Sequence, residues 1–234
     1  MTRPFDVLLT ESAYQRKVLF AVELLDPVTL ERVSNGVKVV AEGLQGDPIV
    51  NAGGLFVWRS EDIAPLRRVT IEPGVLPYEK DEIAGADVKA SVGATRLTTI
   101  SLRLRADYRF DGGVTGLRGS LIEARVDAPQ SPTAVVDAEV RLRWLDSDGV
   151  TWHDAPPSRT DTRGDFAVIL RPGPTDAPRL DTQGALTVRL HARRGTFDER
   201  RSADLTLPSG RVVDPETFSE DSKALIFAWN EMTP

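Results

Sequence analysis

Alternation of apolar and polar residues with a period of two recurs along this chain and points to β structure. In TTISLRLRAD, Thr98 to Asp107, the residues Ile100, Leu102 and Leu104 fall on one side of an extended backbone, and Ser101, Arg103 and Arg105 fall on the other. The pattern returns in VRLRW (Val140, Leu142 and Trp144 against Arg141 and Arg143) and in LTVRLHARR, where Leu186, Val188, Leu190 and Ala192 oppose Arg189, His191 and Arg193. It returns again around Val69 and Ile71 in RVTIE. Clusters of Gly, Pro, Asn and Asp fall between these runs: SNG, NAGG, EPG, FDGG, DSDG, RPGP and LPSG. Short half-buried strands punctuated by turns predict an all-β chain, a sandwich or a barrel.

A length of 234 residues suits two domains, and the two halves resemble one another. The first runs ERVSNGVKVVAEG, NAGGLFVWRS, RRVTIEPGVLPYEKDE, TTISLRLR; the second runs TAVVDAEVRLRWLD, DTRGDFAVILR, GALTVRLHARRGTFDERRSADLTL. Each has a strand, a Gly-containing turn leading to Phe, a further strand, and a Gly followed by an aromatic, an acid and a base. The boundary falls in ADYRFDGG, Ala106 to Gly113, which predicts an N-terminal domain over 1–107 and a C-terminal domain with a terminal tail over 113–234.

DAEVRL (Ala138, Val140) followed by TDTRGDF (Thr160, Asp161, Gly164, Phe166), with GVTGLRGSLIEA as a first strand, resembles the carboxypeptidase regulatory-like, or transthyretin-like, Ig-type sandwich. Gly36, Val37 and Val39, then Gly54 to Val57, hold the corresponding places in the first half. The resemblance implies two tandem Ig-like antiparallel β-sandwich domains. It implies a scaffold or interaction module, and any reaction inferred from it would be fold analogy alone.

Chemistry is sparse. The chain has no Cys, hence no thiol nucleophile and no Cys-ligated zinc. Its formal charge of −6, with basic residues scattered, argues against nucleic acid as a partner. No apolar run is long enough for a signal h-region or a membrane span, so a cytoplasmic or particle-assembled protein without membrane insertion is expected. Neither histidine has zinc-ligand spacing: His191 alternates onto the solvent face, and His153 lies in loop-like TWHDAPP. Asp154 beside His153 is the nearest acid–base pair, but adjacent residues of an extended chain point to opposite sides. The Tyr-Arg-Gly-Ser end of transthyretin-type hydroxyisourate hydrolases is missing, and so are the clustered Tyr and His iron ligands of intradiol dioxygenases. The expectation is a protein that is not an enzyme and has no catalytic, metal or cofactor residues.

Two loops still invite a functional reading. Arg163-Gly164-Asp165 is the tripeptide of integrin ligands, but Asp161, Thr162 and Gly164 equally make a turn that starts a strand with Phe166, Val168 and Leu170 facing the core. DSDG, Asp146 to Gly149, opens like a calcium loop and equally like a hairpin turn, and Asp161 and Asp165 could add ligands if the loops converged.

Surfaces remain. Arg141, Arg143, Arg189 and Arg193 form outward rows that read as a solvated face or as a docking face for an acidic partner. The tail SEDSKALIFAWNEMTP is unusually apolar for a chain end; it is a strand bearing Leu225, Phe227 and Trp229, or a short helix capped by Ser219 or Ser222. Ile226, Phe227 and Trp229 must dock on the second domain or on another subunit, and the N-terminal RPFDVLLTESAYQR poses the same question. These features predict a non-catalytic, protein-binding component of a larger assembly, with other subunits or copies of itself as partners. A phage-tail-like or contractile injection particle is one setting; the alternative is a surface or periplasmic module that binds carbohydrate or a receptor.

Overall fold

The computed structural model describes residues 20–59, 63–91, 96–124, 132–173, 175–213 and 225–234. The N-terminal RPFDVLLTESAYQR and the capping candidates Ser219 and Ser222 lie outside them. The chain is all-β as the alternation predicts, and the strands among the described residues form four sheets.

In the first half, the described residues form β1 (Phe20–Leu25), β2 (Lys38–Glu42), β3 (Ile49–Val50), β4 (Phe56–Trp58), β5 (Arg68–Glu72), β6 (Asp81–Ala84) and β7 (Leu97–Ser101), with the helix α1 (Gly85–Ser91) between the last two. One sheet has the order β3-β4-β1-β7 and the other β2-β5-β6. Phe20, Val22, Leu24, Phe56 and Trp58 from the first share a buried cluster with Val39, Ala41, Val69 and Ile71 from the second, and Val88 of α1 joins it. The LRLR alternation outlasts its strand. Leu102 still donates to the Leu25 carbonyl, but from Arg103 onward the chain pairs with Pro77 to Glu79, so Leu102 and Leu104 stay buried while the pairing partner changes.

In the second half, β8 (Thr115–Ile122), β9 (Glu139–Leu145), β10 (Trp152–Asp154), β11 (Ser158–Arg159), β12 (Asp165–Leu170), β13 (Ala185–Arg194), β14 (Asp198–Arg201), β15 (Leu205–Pro208), β16 (Val212–Val213) and β17 (Ile226–Ala228) build the other two sheets. One has the order β10-β9-β13-β14, with β11 also on β9 and β15 also on β13; the other has β12-β8-β16, with β17 also on β8. Val140, Leu142, Trp144, Val188 and Leu190 face Leu117, Leu121, Phe166 and Val168 across the second buried cluster. β12 is buried on both sides, because Phe166, Val168 and Leu170 enter this cluster while Ile169 enters the first.

Pairing is not uniformly antiparallel, contrary to the expectation. β7 lies parallel to β1, and β16 and β17 lie parallel to β8. Each of these pairs joins segments far apart in sequence, which a parallel connection requires. The tail resolves as the strand alternative followed by a 3₁₀ turn, Trp229–Glu231. Leu225, Phe227 and Trp229 are buried and Ile226 is half-exposed, as the alternation requires.

Candidate functional site

The Arg-Gly-Asp segment is a turn built on Asp161. The Asp161 carboxylate Oδ1 accepts from the N–H of Arg163 at 2.7 Å and of Asp165 at 2.9 Å. Its own N–H donates to the Asp165 carbonyl, and Gly164 donates to the Asp161 carbonyl. Gly164 has φ of +80°, and a Cβ there would sit 2.4 Å from the Leu121 carbonyl oxygen, so the position suits Gly alone. The Arg163 guanidinium lies 3.1 Å from the Asp165 carboxylate, which also accepts from Ser120 Oγ at 2.5 Å. The two charges of the tripeptide are paired with each other at the surface, and the Asp165 carboxylate is also held by Ser120.

The same construction occurs at two further places. Asn51 accepts through Oδ1 from Gly53 and Leu55 before β4, and Asp181 does so from Gln183 and Ala185 before β13. Gly54 and Gly184 repeat the left-handed backbone, at φ of +77° and +78°. NAGG, DTRG and DTQG are therefore one turn with an Asn or Asp first and a Gly fourth.

The acids named as calcium ligands are likewise engaged in turns. Asp148 accepts from the N–H groups of Val150 and Thr151 and from the Thr151 hydroxyl. These bonds hold its carboxyl down to about 2, the Thr151 hydroxyl contributing most. Among the described residues, no group of three or more His, Asp or Glu side chains is placed to hold a metal ion.

The histidines differ from expectation. His153 is in β10 and stacks on Trp144 with ring centroids 4.3 Å apart. Its Nε2 is 2.9 Å from Asp146 Oδ2, whereas its neighbour Asp154 turns to Arg143. Ser147 Oγ donates to the other oxygen of Asp146 at 2.9 Å. The carboxylate thus stands between hydroxyl and imidazole, and the imidazole cannot take the hydroxyl proton as a Ser-His-Asp arrangement requires. His191 lies on the outer face of β13 but is only 9% exposed, with Arg141 and Arg201 opposite it on the neighbouring strands. Its Nδ1 is 3.0 Å from Glu199, and burial together with Arg143 lowers its pKa against the pull of Glu199.

The outer face of the β10-β9-β13-β14 sheet carries all four Arg candidates, and each is paired. Arg141 and Arg193 share the Glu139 carboxylate at 2.8 and 2.9 Å. Arg143 Nε is 2.7 Å from Asp154, at ion-pair distance without hydrogen-bond alignment. Arg189 pairs with Asp204 and lies over the Trp152 ring, 4.0 Å from its centroid. The tail candidates sit within the chain. Phe227 packs on Phe166 in the second cluster, and Arg194 and Arg200 cover the Trp229 ring. Only Ile226 of the three is half-exposed.

Three groups escaped the sequence reading. Asp26 is buried, and its Oδ2 accepts from the Tyr78 and Tyr108 hydroxyls at 2.6 Å each while Oδ1 accepts from the N–H groups of Val28 and Thr29. Burial would raise the Asp26 pKa, but these four bonds outweigh it and lower the value; burial and the Asp26 charge raise both phenols. A cleft of about 440 Å³ between Glu79, Arg105 and Asp107 on one side and Asp137, Asp161 and Arg163 on the other borders the turn described above. Burial raises the Glu79 carboxyl, Arg105 opposes this, and Asp161, Asp107 and Asp137 add to it.

The third is Phe197, 96% exposed in the connection from β13 to β14. The base of that hairpin is braced by Arg193 on Glu139, Arg194 on Glu123 and His191 on Glu199. Its sequence signal is an aromatic after Gly195-Thr196, inside a turn where polar residues are the rule.

No family model, curated protein or solved structure matches the chain. Among the described residues, no helix is long and apolar enough to cross a membrane.

Proposed function

We propose that this chain is a non-catalytic structural protein, two transthyretin-like, Ig-type sandwiches in tandem over 1–107 and 113–234, that binds other protein subunits in an assembly. The observation that carries the reading is Phe197, a large apolar side chain left in solvent on a hairpin with a tied-down base. Aromatic residues on rigid supports are the usual anchors of protein interfaces, because little conformational entropy is lost when they dock. The polar constellations have structural uses: Asp26 and its tyrosines cap a core, and Asp146, Asp148 and Asp161 hold turns. A phage-tail-like or contractile injection particle is a setting in which such a subunit would serve.

Nothing favours carbohydrate binding over this. Sugar rings stack on broad aromatic faces grouped in a groove; of the four Trp, Trp58, Trp144 and Trp229 are buried and Arg189 lies over Trp152, so no open indole stands with Phe197. The test is light scattering on the full chain together with affinity retention from its native cell extract. Self-association or retention of a defined partner is the expected result; a strictly monomeric protein that retains nothing would overturn the reading.

A further inference from the structure

Asparagine occurs in the chain at positions 35, 51 and 230, and only Asn35 is followed by glycine. Asn35 and Gly36 are exposed in the turn that leads into β2, and Gly36 has φ of +75°. Among the described residues, neither the Asn35 side chain nor the Gly36 N–H has a hydrogen-bond partner. A free backbone N–H directly after a free side-chain amide is the arrangement from which asparagine cyclises, and glycine brings no side chain to hinder the approach.

The comparable positions are held. Asn51 accepts through Oδ1 from the N–H groups of Gly53 and Leu55 at 2.9 Å each, and alanine follows it. Asn230 lies inside the 3₁₀ turn with its N–H on the Glu123 carbonyl, and glutamate follows it. Asp148 precedes Gly149, but its carboxylate accepts three bonds from Val150 and Thr151, and the Gly149 N–H donates to the Asp146 carbonyl at 2.9 Å. Asp111 precedes Gly112 in the open, yet an aspartate side chain cyclises only in its protonated form, which alkaline solution opposes.

We infer that Asn35 is a site of spontaneous deamidation to aspartate and isoaspartate in the folded protein. The Gly36 nitrogen, its proton taken by hydroxide, attacks the side-chain carbonyl carbon of Asn35. A C–N bond forms there, the bond to the amide nitrogen breaks, and ammonia leaves with a proton from water. Water then opens the five-membered succinimide. Opening at the side-chain carbonyl gives aspartate, and opening at the main-chain carbonyl gives isoaspartate. One water is consumed and one ammonia released, and no partner or cofactor takes part.

The consequence falls on β2. The Val33 N–H donates to the Leu24 carbonyl at 2.9 Å, Lys38 pairs in register with Glu72, and Val33 and Val37 pack against the first cluster. Isoaspartate adds a methylene to the main chain between these anchors, together with a negative charge. The turn then no longer fits both ends, which loosens the entry to an edge strand of the β2-β5-β6 sheet.

The experiment is incubation of the full chain in mildly alkaline buffer, followed by peptide mapping and by methyl transfer from S-adenosylmethionine with an isoaspartyl methyltransferase. The peptide containing Asn35 is expected to gain about 1 Da, as amide becomes carboxyl, and to accept methyl groups. Asn35→Gln, which would have to close a six-membered ring, should lose both signals over the same interval. Its position is exposed, so it should melt with fresh wild type, which is the control for folding. Aged wild type should melt below fresh wild type, and aged Asn35→Gln should not. An Asn35 peptide of unchanged mass, after an interval in which a free Val-Ser-Asn-Gly-Val peptide has reacted, overturns the inference. Equal conversion at Asn51 or Asn230 also overturns it, because the open turn would then not select the site. Aged and fresh wild type that melt alike overturn the loosening of β2.

Discussion

Asp161 and Asp165 close a ring on each other: the Asp165 N–H donates to the Asp161 carboxylate at 2.9 Å, and the Asp161 N–H donates to the Asp165 carbonyl at 2.8 Å. This ring holds Gly164 in its left-handed conformation against β8 and launches Phe166 into the core. Gly164→Val should therefore cost about 3 kcal/mol, near the upper end for single substitutions, because both backbone and space forbid a side chain. Asp161→Ala should cost about 1–2 kcal/mol through its unsatisfied N–H groups. Urea denaturation of the two variants checks the order; equal stability of Gly164→Val and wild type would refute the turn's role.

Asp26 predicts an asymmetry between conservative changes. Its oxygens accept from two phenols on one side and two backbone N–H groups on the other. Asp26→Asn must turn an NH₂ donor toward one of those donor pairs, at a cost of about 2–3 kcal/mol, whereas Tyr78→Phe or Tyr108→Phe removes one bond for about 1 kcal/mol. The folded pKa of Asp26 is depressed, so its stabilisation is present above the ordinary value of 3.8 and is lost as pH falls through the lower folded value. The acid limb of the stability–pH profile should flatten in Asp26→Asn.

His191 acts nearer neutrality. Burial lowers its folded pKa below the ordinary 6.5, so the unfolded chain takes up a proton first as the solution is acidified. Stability is full above about pH 6.5 and falls below it. Glu199, Arg143 and Asp154 act on the His191 charge, and Arg141 and Arg201 stand opposite it in register on β9 and β14. His191→Gln should melt with a weaker pH dependence between neutrality and pH 5; an unchanged slope would show that other groups carry it.

The tail predicts loss of stability from Phe227 and Trp229, which the apolar sequence offers equally to an interface. Phe227→Ala and Trp229→Ala should each cost about 3–5 kcal/mol, since both side chains complete the second cluster. Ile226→Ala, half-exposed, should cost about 1 kcal/mol. Thermal melting checks this. If Trp229→Ala melts like wild type, the tail does not dock as described.

Much of this was legible in the residues. The alternation in β5, β9 and β13 determined which side chains face inward, because a pleated strand offers only two faces and one of them is apolar. Gly164 and Phe166 likewise announced a turn and a core strand, since few residues tolerate a left-handed backbone. The same rule places His191 in solvent, yet it is only 9% exposed. Parity sets its face, but exposure depends on how far Arg141, Arg143 and Glu199 reach across from neighbouring strands.

By itself, then, the chain determined strand character, inward parity and the Asn/Asp-to-Gly turns, all of which arise from steric and hydrogen-bonding preferences within a few residues. Only the tertiary structure decided that β7, β16 and β17 pair in parallel and that Asp26 meets Tyr78 and Tyr108. It also decided that the tail closes its own core while Phe197 stands in solvent. Those outcomes depend on contacts between segments tens of residues apart, where local preference is silent and the packing of whole sheets determines which side chains meet.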